Sequence, residues 1–199
     1  MMISEIFRTI QGEGPLMGAY CVFVRTAGCN CMCEWCDTKY SWDTWIEIPV
    51  SEVINSVKRY GTKRVVITGG EPTIQMDEVE ELSTRLRKEG YHVSLETNGI
   101  IDDYDTSIFD LVVVSPKFTT DWDKWIRRNV VFKFVINSNN VDMIMQWILM
   151  HDIKNVYLMP FGTTPQEILL NSDIIITNME EYEVDVFLTP RLHILLGVK

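Results

Sequence analysis

Four of the chain's five cysteines fall within eight residues: Cys29, Cys31, Cys33 and Cys36. Thiolates packed this densely are soft ligands, suited to zinc or to an iron–sulfur cluster. A structural zinc site takes four ligands, ordinarily as two separated pairs. Here the fifth cysteine, Cys21, lies inside an apolar run, and no histidine follows at finger spacing. Read as Cys29, Cys33 and Cys36, the stretch is C-x3-C-x2-C, three thiolates without the fourth that a ferredoxin cluster requires. A cubane held this way keeps one iron open, which suits chemistry better than electron storage. Cys31 is either a bystander thiol or a competing ligand through Cys29-x-Cys31-x-Cys33.

Other chemistry-bearing residues sit at the ends of apolar runs. Gln11 and Glu13 flank Gly12 in a turn with three glycines, where backbone can approach a ligand closely. Arg25 shares a strand face with Cys21 and Phe23, and a guanidinium turned inward needs an anion. That anion is a substrate carboxylate or an internal acid such as Glu13. Gly69-Gly70-Glu71-Pro72 and Glu96-Thr97-Asn98-Gly99 each close a β-branched run, placing Glu71, Glu96 and Asn98 where an α/β barrel keeps its site. Lys133 interrupts a hydrophobic run.

The elements that position these groups alternate along the chain. Strands are expected at Tyr20–Ala27, Arg64–Thr68, His92–Thr97, Leu111–Ser115, Asn129–Ile136 and Asn155–Met159. Helices are expected at Ser51–Tyr60 with Ser51 as cap, at Asp77–Glu89, and at Val141–Met150 with Asn139 or Asn140 as cap. Residues 164–182 carry both a helical start at Pro165 and a strand-like run, Ile174–Thr177; the alternation favours a helix. Such a pattern predicts a parallel sheet with helices outside. At 199 residues the chain is shorter than the roughly 250 of an eight-fold barrel, so a partial, open (β/α)6-type barrel in one domain, 1–199, is expected. Helices between about 100 and 130 look abbreviated.

Taken with Phe7–Gly14 (Phe-Arg-Thr-Ile-Gln-Gly-Glu-Gly), Phe23-Val24-Arg25, Trp35-Cys36-Asp37-Thr38 and Thr68–Pro72, the cysteine triplet resembles the 7-carboxy-7-deazaguanine synthases of the radical S-adenosylmethionine superfamily. The resemblance runs from residue 5 to the C-terminus and is densest over 5–38. Cys31 departs from it, standing where the family usually has an apolar residue. It implies a [4Fe-4S] cluster on Cys29, Cys33 and Cys36 and Mg2+ at Thr38. S-adenosylmethionine would lie against Trp35, Cys36, Asp37, Gly70, Glu71, Ser115, Pro116 and Lys117. Substrate would meet Ile10, Gln11, Gly12, Glu13, Arg25, Thr68, Glu96, Asn98 and His193. The implied reaction is ring contraction of 6-carboxy-5,6,7,8-tetrahydropterin to 7-carboxy-7-deazaguanine with loss of ammonia. A flavodoxin or ferredoxin donor and a homodimer are implied in the same way.

Composition narrows the alternatives. With 46% hydrophobic residues the chain can bury a sizeable core. A net charge of −10 disfavours generic nucleic-acid binding, since phosphate contacts need Lys and Arg. No apolar run approaches the roughly 18 residues of a membrane span. The start lacks the basic and apolar segments of a signal peptide, so a reducing cytoplasm is expected. Three rivals stay open at this level: a glycyl-radical activating enzyme acting on a protein, a zinc-binding module, and an electron-transfer protein.

Overall fold

The computed structural model describes residues 1–198. It forms two compact units, one of Met1–Thr9 and Tyr20–Val130, the other of Ile10–Ala19 and Val131 onward.

The first unit carries β1 (Met2–Ile10, ending at the boundary), β2 (Tyr20–Thr26), β3 (Ile46–Glu47), α1 (Val50–Lys58), β4 (Arg64–Gly69), α2 (Met76–Lys88), β5 (His92–Thr97) and β6 (Leu111–Val114). The strand order is β3-β1-β2-β4-β5-β6. β3 runs antiparallel to β1, whereas β2, β4, β5 and β6 are parallel neighbours. Strands covered on both faces read as unbroken apolar runs, and Val65, Val66 and Ile67 of β4 are fully buried. Helix α1 buries Val50, Val53, Ile54 and Val57, one stripe at helical spacing, and α2 buries Val79, Leu82 and Leu86. Each such side chain contributes about 1.5–3 kcal/mol on burial. Asp77 and Glu78 open α2 and Arg85, Arg87 and Lys88 close it, in the sense that complements the helix dipole.

Beyond β5 the helices shrink as expected. Single 3-10 turns, Thr106–Ile108 and Trp122–Trp125, stand on either side of β6. Trp125 compensates for the missing helix: fully buried, it donates from Nε1 to the carbonyl of Gly99 at 3.0 Å.

The second unit carries β7 (Val131–Ile136), α3 (Val141–His151), β8 (Val156–Pro160), α4 (Pro165–Tyr182), β9 (Phe187–Leu188) and α5 (Leu192–Leu196). β7, β8 and β9 are parallel. The ambiguous stretch is the helix α4. Thr164 and Glu167 form a reciprocal capping box around Pro165. Ile168, Asn171 and Ile175 then face inward at helical spacing, which overrides the β-branched run.

One cap expectation is corrected, and the other holds for the residue but not for its side chain. α1 starts at Val50 with Pro49 as its cap residue, not Ser51. Asn140 is the cap residue of α3, but its side chain binds away from the helix end, accepting from Asn137 N and donating to the carbonyl of Val135. β1, a nine-residue strand, was not foreseen. The fold class is mixed α/β with an open, mostly parallel sheet, and no described helix is long and apolar enough to cross a membrane.

Candidate active site

The cysteine loop leaves the carboxyl end of β2. Cys29, Cys31, Cys33 and Cys36 are free, half-buried thiols. Cys21 is fully buried inside β2, where burial pushes its thiol up to about 11. Two sulfurs of the triplet accept backbone N–H groups: Cys29 Sγ from Cys31 at 3.4 Å, and Cys36 Sγ from Thr38 at 3.4 Å. The Thr38 hydroxyl lies 3.5 Å from the same Cys36 sulfur. Met32 takes a left-handed conformation, φ 47°, and the loop folds Cys31 Sγ to 3.3 Å from Cys33 Sγ. Burial and that shared hydrogen bond push the Cys33 thiol up to about 12. Trp35 and Asp37 are exposed, and the Trp35 ring meets Phe118 edge-on at 6.3 Å.

β4 brings the Gly69-Gly70-Glu71-Pro72 turn against this loop. Gly70 N donates to Thr26 O at 3.1 Å and Glu71 N to Gly28 O at 2.8 Å. A Cβ on Gly70 would overlap the Gly28 carbonyl, so glycine is what permits the approach. Glu71 does not extend its carboxylate toward a ligand, as the sequence led one to expect. It is 1% exposed, and both oxygens are occupied. Oε1 accepts from Thr73 N, the Thr73 hydroxyl and the Thr97 hydroxyl; Oε2 accepts from Asn98 N at 2.7 Å. Burial pushes this carboxyl up from its ordinary range, while the four donors pull the other way.

The end of β5 is therefore tied to the glycine turn. Asn98, also buried, sends its side chain to Asn30 in the cysteine loop at 2.7 Å. Glu96 is half-buried on β5. Ser115, Pro116 and Lys117 are half-buried just past β6, and Lys117 Nζ donates to the carbonyl and hydroxyl of Ser115 at 2.7 and 2.9 Å. Thr68 lies in register with Arg25 across β4 and β2. The Arg25 guanidinium does have an internal acid, but it is Glu5 and not Glu13: Nε donates to Glu5 Oε1 at 2.8 Å, and Tyr40 donates to the same oxygen at 2.7 Å. The guanidinium also rests 5.6 Å from the Phe7 ring centroid.

A separate cluster forms inside the second unit. Gln11 is buried and bonds to both sides of its own loop, its N–H to Ala19 O and its carbonyl to Gly18 N, each 2.7 Å. Gly12 O accepts from Leu192 N at 2.9 Å, and a Cβ on Gly12 would overlap the His193 ring. Glu13 Oε2 lies 2.7 Å from Lys133 Nζ, and its Oε1 is 3.4 Å from Arg191 Nε and 4.0 Å from His193 Nε2. Burial raises the Glu13 pKa, yet Lys133, Arg191 and His193 together outweigh it and bring it from 4.5 down to about 2. Arg191 Nη1 also donates to Gly162 O at 2.6 Å. Ile10 ends β1 half-buried at the start of this loop.

A profile of the Radical SAM superfamily matches residues 23–145. The 7-carboxy-7-deazaguanine synthase of Hyperthermus butylicus is 35% identical, over 84% of this chain and 79% of that protein. The chain belongs to the 7-carboxy-7-deazaguanine synthase family. Its relative from Halobacterium salinarum, of the same name, is 34% identical over 98% of this chain and 89% of its own length. Among solved structures, that of QueE from Escherichia coli superposes with a TM-score of 0.75 at 25% identity, covering 96% of this chain and 94% of that one.

Against this family, three residues were missed by sequence reasoning. Arg191, two residues before His193, carries no role in the sequence analysis, although it reaches Glu13. Glu5 carried no signal, because its partner Arg25 is twenty residues away on a neighbouring strand. Asn30 lay between two candidate ligands and was passed over for them.

Proposed function

We propose that this member of the 7-carboxy-7-deazaguanine synthase family contracts the ring of 6-carboxy-5,6,7,8-tetrahydropterin to give 7-carboxy-7-deazaguanine and ammonia. The single observation that carries the reading is the loop of Cys29, Cys33 and Cys36, three free sulfurs on one short turn in a chain of this family. The donor set fits a [4Fe-4S] cluster. The ligands are soft, two of their sulfurs accept backbone N–H groups, and Cys21 is enclosed in β2. When bound, the cluster supplies the one-electron cleavage of S-adenosylmethionine that starts the ring contraction.

The chain's own residues do the rest by position. Cys29, Cys33 and Cys36 hold the cluster. Trp35, Cys36, Asp37, Gly70, Ser115, Pro116 and Lys117 bind S-adenosylmethionine, Gly70 by leaving room beside the Gly28 carbonyl. Glu71 serves that pocket through the four hydrogen bonds it accepts rather than through a ligand contact. Thr38 contributes its hydroxyl to Mg2+, an ion that keeps water and substrate oxygens as its other ligands. Ile10, Gln11, Gly12, Glu13, Arg25, Thr68, Glu96 and His193 contact the pterin. In Arg25, Nε is committed to Glu5, which aims the guanidinium, and a bidentate carboxylate would use its outer nitrogens.

The whole chain acts as one catalytic domain in this reading, supported by a likeness that spans 96% of it. A small flavodoxin or ferredoxin supplies the electron, and the thiol loop calls for a reducing cytoplasm. Exposed Met150, Leu169 and Leu170 in the second unit support a homodimer. The glycyl-radical activating alternative finds no support among the relatives named above.

The test is an anaerobic assay of reconstituted protein with S-adenosylmethionine, dithionite and the carboxy-pterin. Deazaguanine and ammonia should appear only when all three are present. A brown, iron-loaded protein that cleaves S-adenosylmethionine yet leaves the pterin unchanged would overturn the substrate assignment.

A further inference from the structure

Asn98 is held so firmly that its amide has only one orientation. Its N–H donates to Glu71 Oε2 at 2.7 Å, and its carbonyl accepts from the Thr120 hydroxyl at 2.8 Å. Its side-chain Oδ1 accepts from Ile100 N at 2.9 Å. With Oδ1 taken, the free end of the amide is Nδ2, and Nδ2 meets Asn30 Oδ1 at 2.7 Å. Asn30 is exposed and stands between Cys29 and Cys31. Asn98 is 6% exposed. A buried, fully oriented amide thus reaches out to an exposed residue of the cysteine loop.

The loop is gripped at a second point by the same turn. Glu71 N donates to Gly28 O, one residue before Cys29, while the Glu71 carboxylate holds Asn98. One buried residue therefore fixes both sides of Cys29: Gly28 directly through its backbone, and Asn30 through Asn98.

We infer that Asn98 is a positioning residue, acting through Asn30 to clasp the cysteine loop around its first ligand and so slow release of iron from it. Asn98 then does not contact substrate, in contrast to the role the family resemblance implied for it. The inference rests on the reading that Cys29, Cys33 and Cys36 hold a cluster. It extends that reading to a pair of asparagines 68 residues apart.

The chemistry of the pair dictates an unusual test. Asn30→Asp keeps an acceptor facing Asn98 Nδ2. Asn98→Asp keeps the acceptor for Ile100, and the exposed Asn30 amide turns over to donate to it. Either single variant retains a hydrogen bond, but the double variant sets two carboxylates against each other. Anaerobically reconstituted proteins are challenged with an iron chelator at about pH 8, well above the ordinary carboxylate range. Each single variant should release iron at close to the parent's rate. The double variant should release it roughly fivefold to tenfold faster, a non-additive effect of the size seen for contacting pairs. Asn30→Ala, at an exposed position, should also accelerate release without lowering the unfolding temperature of the iron-free protein. Double-variant release within a factor of about two of the parent's overturns the clasp, since non-contacting sites add. A parent that holds no iron instead overturns the cluster reading on which it rests.

Discussion

Lys133 Nζ lies 2.7 Å from Glu13 Oε2, with the two side chains 5% and 14% exposed. Lys133 stands in a strand whose neighbours Phe132 and Phe134 are core residues. A lysine there would be costly without an anion. Removing one member of a buried pair leaves the other charged and uncompensated, which typically costs about 3–5 kcal/mol. Arg191 shares Glu13 and will soften the loss, so Lys133→Met is expected to destabilise by about 3 kcal/mol, at the lower end of that range. Urea unfolding of the iron-free protein measures it. Combined with Glu13→Gln the loss should be smaller than the sum of the two single losses, because both substitutions act on the same ion pair.

Acid should act on the same carboxylate. Glu13 titrates at about 2 in the folded protein against an ordinary 4.5. A depressed carboxylate contributes stability that is fully present above its unfolded value and is lost as pH falls toward the folded one. The contribution should thus hold from neutrality down to about 4.5 and fade between there and about 2. Glu13→Gln should be less stable at neutral pH and should show a shallower fall over that acid range. Urea midpoints taken across the range would detect it; parallel curves for parent and variant would remove the charge cluster as the cause.

Much of the scaffold is legible in the sequence because doubly covered parallel strands leave an unbroken β-branched record, as in Val65–Ile67 and Val112–Val114. α4 is legible for a different reason: Thr164, Pro165 and Glu167 write a helix start that local chemistry alone enforces. β1 is not, because it is half-buried without clean alternation and its start is pinned by a distant amide, Gln75, bonding both ways to the Met2 backbone. The site divides along the same line. The cysteine triplet is a local pattern. The partners that orient the other groups, Glu5 for Arg25, Thr97 and Asn98 for Glu71, and Asn30 for Asn98, are brought in by the sheet from 20 to 68 residues away. No spacing rule announces them.

Cys31 and Cys33 separate a ligand from a neighbour. Their sulfurs lie 3.3 Å apart and share a hydrogen bond, which makes Cys31 a neighbour of the Cys33 thiol. With Cys29, Cys33 and Cys36 as ligands, Cys33→Ala should lose the brown absorbance and the activity together. Cys31→Ala should keep both, with iron and sulfide content equal to the parent's after anaerobic reconstitution. Loss of iron from Cys31→Ala would mean that the ligand set includes the middle thiol.

Glu71→Gln asks whether the buried carboxylate works by accepting hydrogen bonds. In the parent, three donors converge on Oε1 and one on Oε2. The least costly glutamine orientation keeps its oxygen toward Thr73 and Thr97, which turns the amide nitrogen toward Asn98 N–H, donor against donor. A buried donor left without a partner costs about 1–3 kcal/mol, so the unfolding free energy from urea titration should fall by about that amount. The burial that raises the Glu71 pKa is relieved in the neutral glutamine and offsets part of the loss. The local consequence is more specific than the global one. The Asn98 N–H would lose its acceptor while Ile100 N keeps Asn98 Oδ1, so amide hydrogen exchange should quicken at Asn98 and hold at Ile100. Equal protection of Asn98 in parent and variant would mean that the carboxylate is not what holds the end of β5.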